Sequence, residues 1–577
     1  MIRAIPIPLF RFTPLAPRAI GPLLAIFLLP VAFPAIGPRA LGATGAPSPS
    51  TSGIIPEHGK YSAAYMGDWS TLPTADKLPR PPLPALPASV DTTGDTGNAV
   101  PDSALRIVKG EAIRRQWLHQ EKVRLSDLRL AVTWDPTPSH KDHTTLFHIA
   151  DAGEVVIENL TIIQADPDYR GYHTILVEGA DRVIVRNVQL AGSVQSFHLR
   201  IEGCRDVFID NLEISGIDYH RRGRFRAGGG LWLNNGNTGR LGHNGTGLWT
   251  EYARMPGWQV IQNSYFHDGT ESDGGEWRNQ DAVLIHHPGH GVLFNNVVEN
   301  WFHPPMDGGF DIGFRRAEPE YQDRFFRVER NILRNVTFIK TPAAAPGPNT
   351  LFYANNLFIN TQLADYHKGA ANDVHYVHNT CIYDLAKAPV PFRELARRGA
   401  SGYASLWNYG APTHLANSLL YRPAPSPADA SPFTVYYANK DAAPDKYLHF
   451  KSAFNTWALS LSNLTWLRTA RDGARYKTLD DWRRATDSDT GSALVDPGAI
   501  HFANYAADDY RLLQNPASGN SSAFPGPATT TRYLDPSDKR MQVNRDFYGQ
   551  LRSQDPTSPT AAPAPGAFNV EPAAARP

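Results

Sequence analysis

Cysteine, net charge and long apolar runs are all scarce in this 577-residue chain, and each shortage excludes a class of protein. Cys204 and Cys381 are its only cysteines and match no metal-ligand spacing, which argues against a Cys/His zinc site, although their even number permits a disulfide. Cys381 lies in an apolar run, so we expect both to be small buried thiols. The 56 basic and 56 acidic residues cancel, so no overall charge draws the chain to nucleic acid or to an anionic membrane.

The one apolar stretch long enough to discuss lies near the N-terminus. Arg3, Arg11 and Arg18 surround its start, the stretch covers residues 20–31, and small residues follow it up to residue 43. This order is typical of a cleaved export signal, which we predict for residues 1–43. Prolines within and beside the stretch disfavour the alternative, a retained membrane anchor. We therefore expect a secreted or periplasmic protein with no stable membrane insertion after cleavage.

Proline and glycine are plentiful where other residues are scarce. The chain has 48 prolines and 46 glycines against five methionines, which favours a loop-rich β protein over a helical one. Residues 44–102 are especially rich in Pro, Ser, Thr and Ala, a composition that buries little surface. We predict a linker or loosely attached arm for this segment.

The most informative feature is a repeat in which an apolar run, an asparagine and a second apolar run follow one another. The asparagines are Asn159, Asn187, Asn211, Asn263, Asn296, Asn331, Asn356, Asn379 and Asn417, and Asp127 occupies the same place in an earlier copy. The longest step, from Asn211 to Asn263, is interpreted as two coils, with residues 230–235 as the skipped copy. Short strands that cannot bury their apolar sides alone must stack to share one core.

The asparagine itself suits a corner between two strands. Asparagine tolerates left-handed backbone angles, and its amide can both donate and accept a hydrogen bond. Repeated once per coil, such amides can form an internal hydrogen-bonded ladder. The repeat predicts an all-β chain, a single-stranded parallel β-helix of about ten coils. Its span is residues 103–425, and long loops should collect on one face.

At this point the sequence resembles the right-handed parallel β-helix proteins of the pectate-lyase-like superfamily, over roughly residues 104–421. The later segments TLDDW (478–482), SALVDP (492–497), DYRL (509–512), RDFYG (545–549) and GAF (566–568) resemble the ending of exported bacterial β-helix proteins. We therefore assign residues 426–577 to a C-terminal β-helix-associated segment and irregular tail. The resemblance implies an extracytoplasmic protein acting on polysaccharide, but it implies no single reaction, because several chemistries share this scaffold.

Two aspartates are the first candidates for catalysis. Aligning the strands upstream of the repeat asparagines places Asp281 and Asp311 at the start of the same strand on adjacent coils, within about one residue of register. Since stacked strands lie about 4.8 Å apart, the two carboxylates are expected side by side on the outer face. Paired carboxyl groups can serve as acid and base in glycoside hydrolysis. The alternative is that each aspartate only caps a turn.

Further site candidates surround this pair. We assign His286 and His287 to catalysis together with the aspartates. The substrate-binding candidates are Arg224, Arg226, Trp249, Trp277, Arg315 and Asp307. Arginines can grip an anionic sugar chain, and exposed indole rings can pack on sugar rings. A solvated basic loop and ordinary core tryptophans are the alternatives.

Three functions stay open at this point. A glycoside hydrolase is preferred because two carboxylates align and no isolated lysine stands out. A polysaccharide lyase or epimerase acting on uronic-acid glycans is the second, with Lys340 as its best lysine. A non-catalytic glycan-binding or surface protein is the third. The expected partner is a polysaccharide and not nucleic acid. We predict no metal ligands and no required cofactor, with Ca²⁺ expected only for a lyase.

Overall fold

The structure is a computed structural model, and every residue it describes falls in one compact unit, Ser52–Pro577. It describes residues 105–134, 145–165, 171–192, 194, 196–217, 229–234, 257–270, 281–286, 288–302, 308–314, 323–340, 349–365, 372–398, 403–408, 413–424, 433–438, 450–469, 473–513, 533, 541–543, 546–547, 552, 566–567 and 570–571. The predicted export signal and linker, residues 1–102, lie outside these ranges.

Strands dominate the described chain. The first are β1 (Arg106–Lys109), β2 (Arg115–Leu118), β3 (Lys122–Ser126), β4 (Arg129–Thr133), β5 (Phe147–Gln164), β6 (Ile175–Gly192), β7 (Phe197–Glu202), β8 (Asp206–Ser215), β9 (Gly229–Asn234), β10 (Trp258–Gln262), β11 (Tyr265–Thr270), β12 (Val283–His286), β13 (His290–Phe294), β14 (Val297–Phe302), β15 (Phe310–Gly313), β16 (Phe325–Glu329), β17 (Ile332–Val336) and β18 (Phe338–Lys340). The rest are β19 (Asn349–Ala354), β20 (Leu357–Ile359), β21 (Gln362–Asp365), β22 (Asn372–Val377), β23 (Thr380–Ile382), β24 (Tyr403–Asn408), β25 (Thr413–Ala416), β26 (Leu419–Arg422), β27 (Phe433–Ala438), β28 (Phe450–Ala453), β29 (Thr456–Leu459), β30 (Leu464–Thr469), β31 (Gly473–Tyr476), β32 (Ala493–Val495), β33 (Phe502–Asn504), β34 (Asp509–Leu513) and β35 (Val570–Glu571). The α-helices are α1 (Gly110–Ile113), α2 (Val390–Arg398) and α3 (Leu479–Thr486), and 3₁₀ turns cover Leu385–Lys387, Pro497–Ala499 and Tyr505–Ala507.

Thirty-two of these strands belong to one large sheet, and its pairs are parallel except for β30 with β31. Strand β9 pairs with β12, β10 with β13 and β11 with β14, and this spacing of three continues until β27 pairs with β30. The strands thus form three parallel stacks, an arrangement compatible with a parallel β-helix or solenoid. The all-β prediction is confirmed. Parallel pairing in this sheet continues through β29 to β32.

The core runs along the stacks because inward side chains repeat at the same level of each strand. The first stack contains the beginnings of β5 and β6, followed by β7, β9, β12, β15 and β18. On four of its strands, the side chains that pair at one level are fully buried: Leu199, Leu231, Val283 and Phe310. Side chains of a strand alternate between its two faces. The residues between these apolar positions therefore point away from the core, and several of them are charged.

No helix in the described part of the chain is long and apolar enough to cross a membrane.

The second stack contains β10, β13, β16, β19, β22, β25 and β28, and the third contains β11, β14, β17, β20, β23, β26 and β29. These two stacks meet at a corner that holds a ladder of buried amides. Asn296, Asn331, Asn356 and Asn379 are fully buried, and each of the first three donates an Nδ2–H to the Oδ1 of the next at 3.0 Å. Each Oδ1 also accepts the backbone N–H of the residue one level earlier, as when Asn331 N donates to Asn356 Oδ1 at 3.0 Å. Ser264 precedes the ladder, and Ser418, Asn455 and Ser492 continue it.

A second column of amides stands one residue before this ladder, and the repeat alignment merged the two. Asn159, Asn187, Asn211 and Asn263 adopt left-handed angles, with φ between 50° and 56°. Asn187 Nδ2 donates to Asn159 Oδ1 at 3.2 Å, and this bond is exposed. Strand register aligns Asn263 with Asn295, so the level partner of Asn296 is Ser264. The single predicted ladder is therefore wrong in detail, because the alignment slips by one residue at Asn296 and back again at Asn417.

Both cysteines are free and fully buried, as predicted. Burial raises the pKa of the Cys204 and Cys381 thiols to about 12, so neither forms a reactive thiolate at neutral pH. We expect a chromogenic thiol reagent to find no reactive thiol in the native protein and both in denaturant. Reducing agent should leave the thermal midpoint unchanged. A thiol that reacts rapidly in the native protein would contradict this packing.

Candidate active site

The structure describes three of the residues assigned from sequence, Asp281, His286 and Asp311, all in or beside the first stack. The other candidates lie outside the described residues: His287, Arg224, Arg226, Trp249, Trp277, Arg315 and Asp307. His286 ends β12 and is buried, and Asp311 lies within β15. The candidate site is therefore built from the first stack alone.

The two aspartates converge, but on a lysine and with a different register. Lys340 Nζ lies 3.1 Å from Asp281 Oδ1 and 3.2 Å from Asp311 Oδ2. Asp311 pairs with Leu284, so it stands three positions beyond Asp281 and not within one residue of it. Both side chains are buried. Asp281 accepts a hydrogen bond from the Gly308 backbone N–H at 3.2 Å, as a turn-capping aspartate does.

The lysine changes what this pair can do. The Lys340 ammonium lies within salt-bridge distance of both carboxyl groups and gives the two the same cationic partner. An acid–base pair instead needs environments that push the two pKa values apart. Asp281, Lys340 and Asp311 are therefore best described as a buried ion triad. A catalytic role for either aspartate stays a prediction.

Polar side chains continue from this triad along the face of the first stack that points away from the core, in a band that we call the polar strip. The polar strip comprises His148, Glu178, Arg200, Glu202, Trp232, Asn234, Asp281, His286, Asp311 and Lys340. Strand register aligns Glu178, Glu202, Asn234 and His286 in one column. Arg200 and Trp232 share the neighbouring column with Asp311 and Lys340. Distant parts of the sequence thus meet on one face.

Within the polar strip, Glu178 and Glu202 are direct partners on adjacent strands. Both are buried, at 4% and 2% exposure. Burial raises the pKa of Glu202, and the Glu178 charge adds to that rise, against the opposing effect of Arg200. Among the described residues, Glu178 Oε1 is buried with no hydrogen-bond partner. One carboxyl group is thus shifted toward its neutral form beside another with an unused oxygen.

Neighbouring side chains hold these two carboxyl groups in place. His148 Nε2 lies 2.7 Å from Glu178 Oε2. Arg200 Nε donates to Glu202 Oε1 at 2.5 Å, and Asn234 Nδ2 donates to the same oxygen at 3.3 Å. The Arg200 guanidinium also lies over the Trp232 ring, 4.1 Å from its centroid, which fixes the arginine from the other side. The arrangement is preorganised on rigid strands.

Sequence reasoning missed Glu178 and Glu202, although a signal was present. Each of Glu178, Glu202, Asn234 and His286 directly follows a Val, Ile or Leu in a strand upstream of the repeat. Aligning these four strands on that apolar residue places the four polar side chains at the same level, as the register shows.

Sequence reasoning also missed a second cluster. Asp373, His375 and His414, on the second stack, have donor atoms close enough to hold a metal ion.

Comparisons with known proteins add no assignment. No protein-family model matches the chain, and no curated protein matches it. The geometry of the described residues is therefore what supports a function.

Proposed function

We propose that this chain is an exported polysaccharide-active enzyme, a glycoside hydrolase whose acid and base are Glu202 and Glu178. The observation that carries this proposal is the alignment of two buried glutamates on adjacent parallel strands, with the pKa of Glu202 raised by burial. A raised pKa favours the protonated form of a carboxyl group, the form that can give its proton to a leaving oxygen. Glu178 supplies the second carboxyl group.

The spacing of the pair favours one stereochemical course. Neighbouring strands lie about 4.8 Å apart, and retaining glycosidases hold their carboxyl groups about 5–5.5 Å apart. Glu178 would then attack the sugar as a nucleophile while Glu202 protonates the departing oxygen. Glu202, now ionised, would next take a proton from the water that releases the sugar. His148 and Trp232 keep partial exposure, so the sugar would approach the polar strip across them.

The fold and location belong to the same proposal. Three parallel stacks support a right-handed β-helix of the pectate-lyase-like kind with about ten coils, since parallel crossovers are right-handed in about 98% of cases. Residues 1–43 would direct export, which places the protein in the periplasm or outside the cell. That is where a polysaccharide substrate is available.

A uronic-acid lyase or epimerase is the second candidate. Lys340 favours it, because a lysine fixed between Asp281 and Asp311 is the cationic group that could act on a uronic sugar. The two candidates differ in product. A lyase leaves an unsaturated sugar that absorbs ultraviolet light, whereas a hydrolase leaves a reducing end without that absorbance. A protein that only binds glycan gives neither product.

The test is a screen of neutral and uronic polysaccharides that follows both products, first with the unaltered protein and then with single variants. We expect reducing ends without ultraviolet absorbance. Glu178→Gln and Glu202→Gln should each lower hydrolysis by about 10²-fold or more, because each removes a proton-transferring or nucleophilic group. Glu154→Gln is the matched control, since Glu154 is a partly exposed glutamate of β5 paired with Lys122.

The outcomes separate the candidates. Full activity in both glutamine variants, with loss in Asp281→Asn or Asp311→Asn, would move the acid–base pair to the aspartates. Ultraviolet-absorbing product that disappears in Lys340→Met would favour the lyase. Retardation on a polysaccharide gel with neither product would favour a binding protein. Circular dichroism of each variant distinguishes a lost function from a lost fold.

A further inference from the structure

A histidine–aspartate cluster lies on the second stack, away from the strands that carry the polar strip. Asp373 and His375 are two positions apart on β22, so their side chains project from the same face of the strand. His414, on β25, is the register partner of His375. Two neighbouring strands thus deliver one carboxylate and two imidazoles to one place.

The three donor groups already point at one another. His375 Nε2 lies 2.8 Å from Asp373 Oδ2, and His414 Nε2 lies 2.9 Å from Asp373 Oδ1. The two imidazole rings are stacked, with centroids 4.5 Å apart and planes 9° from parallel. One donor atom from each residue lies within 4.8 Å of the other two. Donors around a tetrahedral zinc are about 3.3 Å apart, for bonds of about 2.0–2.1 Å, so small side-chain rotations suffice.

The surroundings suit a bound cation. Asp373 presents both of its carboxylate oxygens to the two rings, Oδ2 to His375 and Oδ1 to His414. Either oxygen can serve as an anionic ligand in the space between them. On the far side of the His375 ring, Nδ1 lies 3.3 Å from the Tyr533 hydroxyl. A partner at the second ring nitrogen orients a metal-ligating histidine.

The cluster is also accessible. The side chains of Asp373 and His414 are 46% and 27% exposed, whereas that of His375 is 1% exposed and anchors the group. Two histidines and one carboxylate leave a fourth position of a tetrahedral ion free for water. The next register position after His414 is Lys451, which is exposed. A lysine ammonium has no lone pair and cannot bind a metal ion, so Lys451 is not a fourth ligand. Asp373 is the anionic ligand of the cluster.

We propose that Asp373, His375 and His414 form a binding site for a divalent transition-metal ion of the zinc class, with solvent as the fourth ligand. Imidazole nitrogen favours such ions over Ca²⁺ or Mg²⁺, which prefer oxygen ligands. The proposal is independent of the proposed hydrolase activity, because the cluster and the polar strip occupy different stacks. It replaces the prediction from sequence that the chain has no metal ligands.

The test uses the full mature chain without a histidine tag, stripped with chelator and then titrated with Zn²⁺. We expect one zinc per chain to survive dialysis, and Co²⁺ to give the visible absorption of a four-coordinate site. His414→Ala and Asp373→Asn should each weaken Zn²⁺ binding by about 100-fold, at least as much as loss of an outer-shell partner does. His501→Ala is the matched control, because it removes a histidine outside the cluster and should bind zinc normally.

The cluster is only a hydrogen-bonded ion pair if the unaltered chain retains no zinc, or if both ligand variants retain it as the control does. Because variants on a strand can misfold, zinc-dependent thermal stabilisation of the unaltered chain is measured as well. Saturating Zn²⁺ should raise its midpoint, and Ca²⁺ at the same concentration should not. Equal shifts with the two ions also contradict a nitrogen-ligand site.

Discussion

Replacing Asn356 by leucine is expected to lower the free energy of unfolding by about 3–5 kcal/mol. Asn356 is fully buried, and its side-chain amide both donates and accepts hydrogen bonds. Its Nδ2 donates to Val328 O and to Asn379 Oδ1, and its Oδ1 accepts from the backbone and side-chain nitrogens of Asn331. Leucine has a similar volume but makes none of these bonds. Each orphaned buried group costs about 1–3 kcal/mol.

The measurement is the free energy of unfolding in urea, and the control is Asn187→Gly. Asn187 belongs to the second column of amides and is itself exposed, and glycine adopts its φ of 54° without strain. Removing its exposed amide bonds should cost about 1 kcal/mol or less. Equal losses in the two variants would mean that the buried ladder adds nothing beyond an ordinary surface bond. A larger loss for Asn356→Leu supports a ladder that fixes the level of each coil.

The same two columns explain how far sequence could predict the fold. Recurrence of asparagine between apolar runs correctly predicted parallel stacking, because only stacked strands bury such short runs. It could not separate Asn295 from Asn296, since the two adjacent amides are equivalent in sequence. One occupies the left-handed corner and the other the buried ladder. Only strand register, set by packing across coils, distinguishes them.

Prediction of the site was limited by a different physical cause. The sequence predicts Asp281 and Asp311 side by side, and they meet on Lys340 because Asp281 precedes β12 and Asp311 lies within the adjacent β15. The same sequence reasoning treats Lys340 separately, as a lysine for a lyase. Its position between them depends on register over three strands. A search restricted to aspartates in the middle coils could not reveal Glu178 and Glu202, which lie in earlier coils, within β6 and at the end of β7.

The second large effect on stability is expected at the ion triad of Asp281, Lys340 and Asp311. Replacing Lys340 by methionine should lower the free energy of unfolding at neutral pH by about 3–5 kcal/mol, the usual cost of removing one partner from a buried pair. Methionine keeps most of the side-chain volume, so a cavity contributes little. The loss arises because the buried Asp281 and Asp311 carboxylates are then left facing each other without the ammonium. Chemical unfolding of the variant and the unaltered protein measures it.

The charge origin of this loss can be separated from packing by a triple variant. Lys340→Met combined with Asp281→Asn and Asp311→Asn should recover most of the stability, because neutral amides need no counter-ion and the amide oxygen that replaces the Asp281 carboxylate can still accept from the Gly308 N–H. A deficit that the triple variant does not relieve would instead indicate lost packing around the position of Lys340.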